Sequence, residues 1–177
     1  MSSPRSLAVN LLVCLVLGLF VTGVQGAEWQ QVSPPGTDLV IEMPGEPKAM
    51  TQKIDTAAGE IEVVLYILEV EGLAYLVNST SIPPNAPMAT IDERLNGARD
   101  GALQNTQGKL VSEKKIKVGV NQGRDLVIEK EGEGIFIHAR IVMVGRRLVQ
   151  ALAVNRTKVA SADTSRFLNS LQIKKSE

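Results

Sequence analysis

Few side chains in this sequence are equipped for chemistry near neutral pH, and they are not gathered in a recognisable pattern. His138 is the only histidine, and Cys14 the only cysteine. A lone imidazole with no neighbouring cysteine or histidine gives zinc too few ligands, and a Ser-His-Asp arrangement would have to draw on distant loops. Glu129, Glu131 and Glu133 have the look of a carboxylate pair for glycoside hydrolysis. They straddle a turn, however, where charges are solvated. Asp92 and Glu93 fall in the first turn of a helix, where negative charge offsets the helix dipole. Lys114, Lys115 and Lys117 can attract an anionic polymer, but the chain after residue 26 offers only Trp29, Tyr66, Tyr75, Phe136 and Phe167 for stacking on bases. No Gly-x-Ser-x-Gly elbow and no glycine-rich phosphate cradle occurs. The expectation is a domain with no catalytic, cofactor or metal site and no nucleic-acid partner.

The first 26 residues read as a signal peptide. Arg5 is their only charged residue, and Leu7 to Val24 is almost uninterrupted apolar sequence. Val24-Gln25-Gly26 places small or modest residues before Ala27 in a signal-peptidase pattern, so cleavage is expected after Gly26. The alternative is an uncleaved anchor, although 18 residues of helix span only about 27 Å, just short of a hydrocarbon core of about 30 Å. In both cases the charge asymmetry places the rest of the chain outside the cytoplasm, secreted or periplasmic, with membrane contact only if the segment stays. Leu11-Leu12-Val13 before Cys14 does not fit a lipid-attachment site.

Removing 26 of the 177 residues leaves a single domain, 27–177, with no cysteine and hence no disulfide. Residues 27–108 carry twelve acidic and four basic side chains, and 109–177 fourteen basic and seven acidic. One reading is a basic surface for an acidic partner; the simpler one is two halves that neutralise each other across a shared sheet. Asn78-Ser79-Thr80 and Asn155-Arg156-Thr157 spell glycosylation sequons.

The elements follow the order strand, helix, strand, helix. Turn clusters at Ser33-Pro34-Pro35-Gly36 and Met43-Pro44-Gly45-Glu46-Pro47 isolate a strand at Leu39 to Glu42. Ile61 to Val70 and Leu73 to Ile82 form a hairpin around Glu71-Gly72. After a proline-rich connector, Thr90-Ile91-Asp92-Glu93 is a capping box, and the helix it opens runs to Gly108.

Two-residue turns at Gly145-Arg146 and Gly132-Glu133, and a three-residue loop at Asn121-Gln122-Gly123, predict a four-stranded meander: Val111–Val120, Arg124–Glu131, Gly134–Val144 and Arg147–Asn155. This register puts Ile116, Val118, Leu126, Ile128, Ile137 and Ile141 on one apolar face. The opposite face is mixed, and its Lys115, Lys117, Asp125, Glu129, Phe136, His138, Arg140 and Arg147 are the candidate interaction residues. Asp125 is expected opposite Arg140, and Lys115 opposite Glu129. Ser161 to Ser170 is the second helix. The fold class is α+β: an antiparallel sheet, made of the meander and the N-terminal hairpin, sandwiched by two or more helices.

The strand ending in Met43-Pro44-Gly45-Glu46-Pro47, the capped helix, the meander and the closing Arg166-Phe167-Leu168-Asn169-Ser170-Leu171-Gln172-Ile173 together resemble the PsbP-like superfamily, especially its small exported bacterial members. Leu171 stands where those members usually have phenylalanine. The resemblance implies an antiparallel sheet between helices, generally without catalysis; known relatives are protein-binding or assembly factors, many others have no assigned role, and no partner carries over. The expectation is a non-enzymatic interaction or assembly domain with an unknown protein partner in the envelope or outside the cell. A small-ligand or lipid-binding domain, with a pocket over the mixed face, is the alternative.

Overall fold

Alternating apolar and polar residues build most of this molecule as strands. The computed structural model describes residues 28–56, 59–70, 72–84 and 86–174. The expected leader and its cleavage point lie outside the described residues, as do Glu71 of the hairpin turn and Asn85 of the connector. The chain runs through β1 (Gln30–Val32), β2 (Leu39–Met43), β3 (Lys48–Thr56), β4 (Gly59–Val70) and β5 (Leu73–Ser81) into α1 (Ile91–Thr106). It continues through β6 (Gly108–Val118), β7 (Asn121–Lys130), β8 (Ile135–Val144) and β9 (Arg147–Asn155), then α2 (Ala162–Asn169) and β10 (Gln172–Ile173).

Two sheets result among the described residues. A large antiparallel sheet has the order β3-β4-β5-β9-β8-β7-β6, so β5 against β9 joins the N-terminal hairpins to the meander. A small sheet has the order β1-β2-β10. The layers are α1, then the large sheet, then α2 beside the small sheet. The fold class is the expected α+β sandwich, but the second face is closed partly by strands. No helix among the described residues is long and apolar enough to cross a membrane.

Each face of the large sheet carries its own core. Towards α1, Val63, Leu65, Leu126, Ile128 and Ile141 meet Leu95, Ala98 and Ala102. On the other side, Tyr75, Val77, Val142, Val149 and Ala151 meet Leu39, Ile41, Met43, Phe167 and Leu168. Leu39, Ile41 and Met43 are wholly buried, and burying each contributes roughly 1.5–3 kcal/mol, which holds a strand as short as β2 against the sheet.

Helix α1 has the expected start. Thr90 accepts a hydrogen bond from the Glu93 N–H (3.2 Å), and the Glu93 carboxylate accepts one from the Thr90 N–H (2.7 Å). The helix ends one residue sooner than predicted, because Gln107 adopts the left-handed cap (φ 50°). Gly108 instead opens β6, where a Cβ would come within 2.5 Å of the Ile128 side chain.

The turns after β7 and β8 give the expected register, with Ile128 opposite Ile137 and Met143 opposite Leu148. The turn before β7 does not. Gly119 and Val120 form it, with Gly119 at φ +58°, as required of the first residue in a type II′ hairpin loop. Val118 therefore pairs with Asn121, and Lys115 with Arg124 rather than facing Glu129. The shift is an odd number of positions, so the upper part of β6 turns over. Ile116 and Val118 join the core beneath α2, while Lys115 and Lys117 face the α1 side. A bulge between Leu110 and Ser112 then returns Leu110 to the α1 core. Strand β3 was not expected at all. Among the described residues it forms the outer edge of the sheet, paired to β4 alone.

Candidate interaction face

The face predicted as mixed is the one under α2 and the small sheet, and its charges bind those layers in place. Arg140 on β8 lies directly across from Asp125 on β7, as expected, and its guanidinium donates to both carboxylate oxygens (2.7 and 2.8 Å). It also donates to the Leu168 carbonyl (2.6 Å) and to Asn169 Oδ1 (3.1 Å), gripping the last turn of α2. Bidentate guanidinium–carboxylate pairing is among the strongest polar contacts, and here one arginine satisfies a sheet partner and two groups at the end of a helix. Arg147 on β9 donates to both oxygens of Asp38, at 2.7 Å each, and so fastens the start of β2.

His138 is 3% exposed, between Val127 and Ala153 in the register. Its Nε2 lies 3.0 Å from the Thr157 carbonyl, which fixes that nitrogen as the protonated one and ties the 156–160 loop to β8. This is a satisfied structural histidine. His138→Ala is therefore expected to leave the domain folded, with a melting temperature lower by a few degrees for about 1 kcal/mol lost. Thermal unfolding by circular dichroism checks this, and a collapse of the fold on substitution would contradict it.

An aromatic cluster lies at the centre of the closing layer. Tyr75 packs edge-on against Phe167 (5.1 Å) and Trp29 (6.2 Å), and the Arg166 guanidinium lies 4.4 Å above the Trp29 ring while pairing with Glu42 at 2.7 Å. Burial, followed by the nearby negative charge of Asp163, pushes the Tyr75 hydroxyl up to about 12.

The remaining candidates divide. Glu129 and Phe136 share the β6–β8 part of this face with Lys109, Ser112, Lys114 and Val127, and Phe136 is half-buried opposite Asn155, which donates to Thr164 of α2. Lys115 and Lys117 are on the opposite side, a correction that follows from the Gly119-Val120 turn. Lys115 pairs with Asp92 of α1 at 3.0 Å.

Asp92 belongs to an ion network that the sequence reading missed. Arg124, with its side chain 6% exposed, joins Asp92 (2.8 Å) and Glu113, and Arg99 joins Glu113 at 2.9 Å and Asp100 at 2.8 Å. Hydrogen bonds from Lys115, then Arg124, hold the Asp92 carboxyl below its ordinary range. Burial raises the Glu113 carboxyl, but hydrogen bonds from Arg124 and Arg99 outweigh it, leaving the net shift downward. The signal for the network was the acidic–basic split. Asp38, Glu42 and Asp92 from the acidic half meet Arg147, Arg166 and Arg124 from the basic half. The sequons are occupied by the fold as well. Asn78 donates to Gln150 (3.2 Å) and Asn155 to Thr164 (3.2 Å), and both asparagines are buried.

Among the described residues, no three His, Cys, Asp or Glu side chains gather in a metal-binding group. No protein-family model and no curated protein matches the sequence. Among solved structures, cyanobacterial PsbP (CyanoP) from Synechocystis sp. PCC 6803 covers 87% of this chain and 97% of its own, with a TM-score of 0.58. The fold is PsbP-like. At 12% identity the likeness is one of architecture, and neither partner nor site comes with it. A protein of unknown function from Pseudomonas aeruginosa matches more weakly, covering 65% of this chain and 86% of its own at 11% identity and a TM-score of 0.41.

Proposed function

We propose that the chain is exported and that its PsbP-like domain is a non-catalytic protein-binding or assembly factor acting outside the cytoplasm. The observation that carries this reading is the filling of the sandwich. Val77, Val142, Val149, Ala151 and Phe167 are each wholly buried where a ligand pocket over the mixed face would have to lie, which favours a protein-binding surface over an enclosed ligand. The ionisable groups there are engaged with the scaffold: Arg140 with Asp125, Arg147 with Asp38, and His138 with the Thr157 carbonyl. The β6–β8 part of the face, with Lys109, Lys114, Glu129 and Phe136, offers mixed charge around an aromatic, a composition suited to a protein partner.

The test is capture from the envelope fraction with the exported protein as bait, reading both proteins and small molecules by mass spectrometry. A stoichiometric protein partner is expected, with capture weakened about tenfold by Phe136→Ala combined with Lys114→Glu. Intact mass should show a bait chain beginning at Ala27. Recovery of a small molecule with no protein, or turnover of an ester, glycoside or phosphate that His138→Ala abolishes, would count against this reading.

A further inference from the structure

One end of the sandwich exposes apolar side chains on its connecting segments, with basic residues nearby. Val120, in the β6–β7 turn, is 87% exposed and Met88 95%, while Ile91 at the start of α1 is 40% exposed. The fold brings these segments to the same end. The Ile82 N–H donates to the Arg146 carbonyl (2.8 Å) and Arg146 donates to the Pro83 carbonyl (2.6 Å), which fixes the connector to the β8–β9 turn. Arg94 donates to the Pro87 carbonyl (3.2 Å), so Met88 follows directly on a residue held by the first turn of α1. Asp92 then holds that turn against Lys115 and Arg124, close to the β6–β7 tip.

The charge at this end is basic. Lys117 and Arg146 are exposed beside the tips. Of the acids nearby, Asp92 is paired with Lys115 and Arg124, while Glu93 caps α1 through Thr90 and keeps its single negative charge.

We infer that this end, with Val120 and Met88 as apolar tips and Lys117 and Arg146 around them, docks on an anionic lipid surface. Val120 on its turn and Met88 on the connector are separate exposed apolar points rather than the lining of a groove. A fluid bilayer needs no shape complementarity: it takes up each apolar tip individually, while anionic headgroups attract the surrounding cations. The contact is distinct from any tether at the N-terminus. Trp29 packs on Tyr75, six residues along β5 from Ser81, where that strand pairs with Arg147 at the tip end, a separation of about 20 Å. The surface is also separate from the Phe136 end proposed for protein binding, so either can fail without the other.

The test uses the protein as exported by its host, in a Cys14→Ser background, mixed with vesicles of phosphatidylcholine alone or with about one-third phosphatidylglycerol. An environment-sensitive dye is placed at Val120→Cys or, as the control, at Glu133→Cys on the opposite end. Lipid docking predicts a blue shift at position 120 with the anionic vesicles, none at position 133, and release in high salt. Lys117→Glu should weaken partitioning about fivefold or more, and Val120→Asp with Met88→Asp should abolish it. Both sets of changes fall on exposed positions, and circular dichroism confirms that the fold is kept. No shift at position 120 would overturn the proposal, as would equal shifts at the two sites or a shift that needs a protein partner.

Discussion

Phe167→Ala is expected to lower the unfolding free energy by about 3–5 kcal/mol, among the largest losses any single core substitution produces in a domain of this size. Phe167 is wholly buried and packs edge-on against Tyr75, with Leu39, Ile41 and Met43 in the same core. Helix α2 has only eight residues, too few to be stable by itself, so its docking depends on this one large side chain with Leu168 beside it. Removing the ring leaves a cavity that the surrounding strands cannot close, because Tyr75 is pinned from its other side by Trp29. Phe167→Leu retains much of the volume and should cost less than about 1.5–2 kcal/mol. Urea unfolding followed by Trp29 fluorescence provides the measurement, since Trp29 is the only tryptophan and belongs to this layer. A loss under 1 kcal/mol for the alanine variant would mean that the layer is held by its ion pairs rather than its core.

What could be read from the sequence depended on whether a single periodic signal ran through each segment. Around Gly145-Arg146 the alternation continues unbroken on both sides, and one glycine marks the turn. The register there was legible to the residue, and so was that across the Gly132-Glu133 turn, which sets the Asp125–Arg140 pair. Residues 116–124 were harder, because Gly119 and Gly123 both offer a turn. Ile116 and Leu110, moreover, serve opposite cores across a bulge, which no strictly alternating strand can do. Placing Asn121, Gln122 and Gly123 in a loop kept one face uniformly apolar, and that tidiness was misleading. Strand β3 left no signal because an edge strand carries little burial: Lys48, Ala49, Met50 and Thr51 are all exposed.

The candidate site was legible only in part for a related reason. Arg140 and Asp125 announce each other because cross-strand neighbours follow from register. Arg147 and Asp38 are 109 residues apart, and no local pattern connects them. The face was therefore identified with its charges, while the layer that uses those charges was not. Side chains that looked available to a partner turn out to hold α2 and β2, while Glu129 and Phe136 of the same face stay half-buried beside the exposed Lys109 and Lys114.

The second large effect is expected at Arg124, on the side of the sheet facing α1. Arg124→Ala should cost about 3 kcal/mol at neutral pH, because its nearly buried guanidinium is the shared cation for Glu113 and Asp92. The value sits at the low end for a broken buried pair, since Asp92 is half exposed and Arg99 still serves Glu113. The loss must depend on pH in a defined direction. Both carboxyls are held below their ordinary range in the folded state, so the stability they contribute is present above the unfolded carboxylate range and disappears as pH falls through their folded values. The gap between the wild type and Arg124→Ala should therefore narrow steadily below about pH 4. Glu113→Ala alone leaves Arg124 buried with Asp92 as its remaining carboxylate, so the double variant should cost less than the sum of the singles, with a coupling of about 1–3 kcal/mol. Denaturant unfolding of the four proteins at pH 7 and pH 3.5 reads all of this. A gap that stays constant across that interval would show that Arg124 contributes through packing of its stem over the α1 core rather than through its charge.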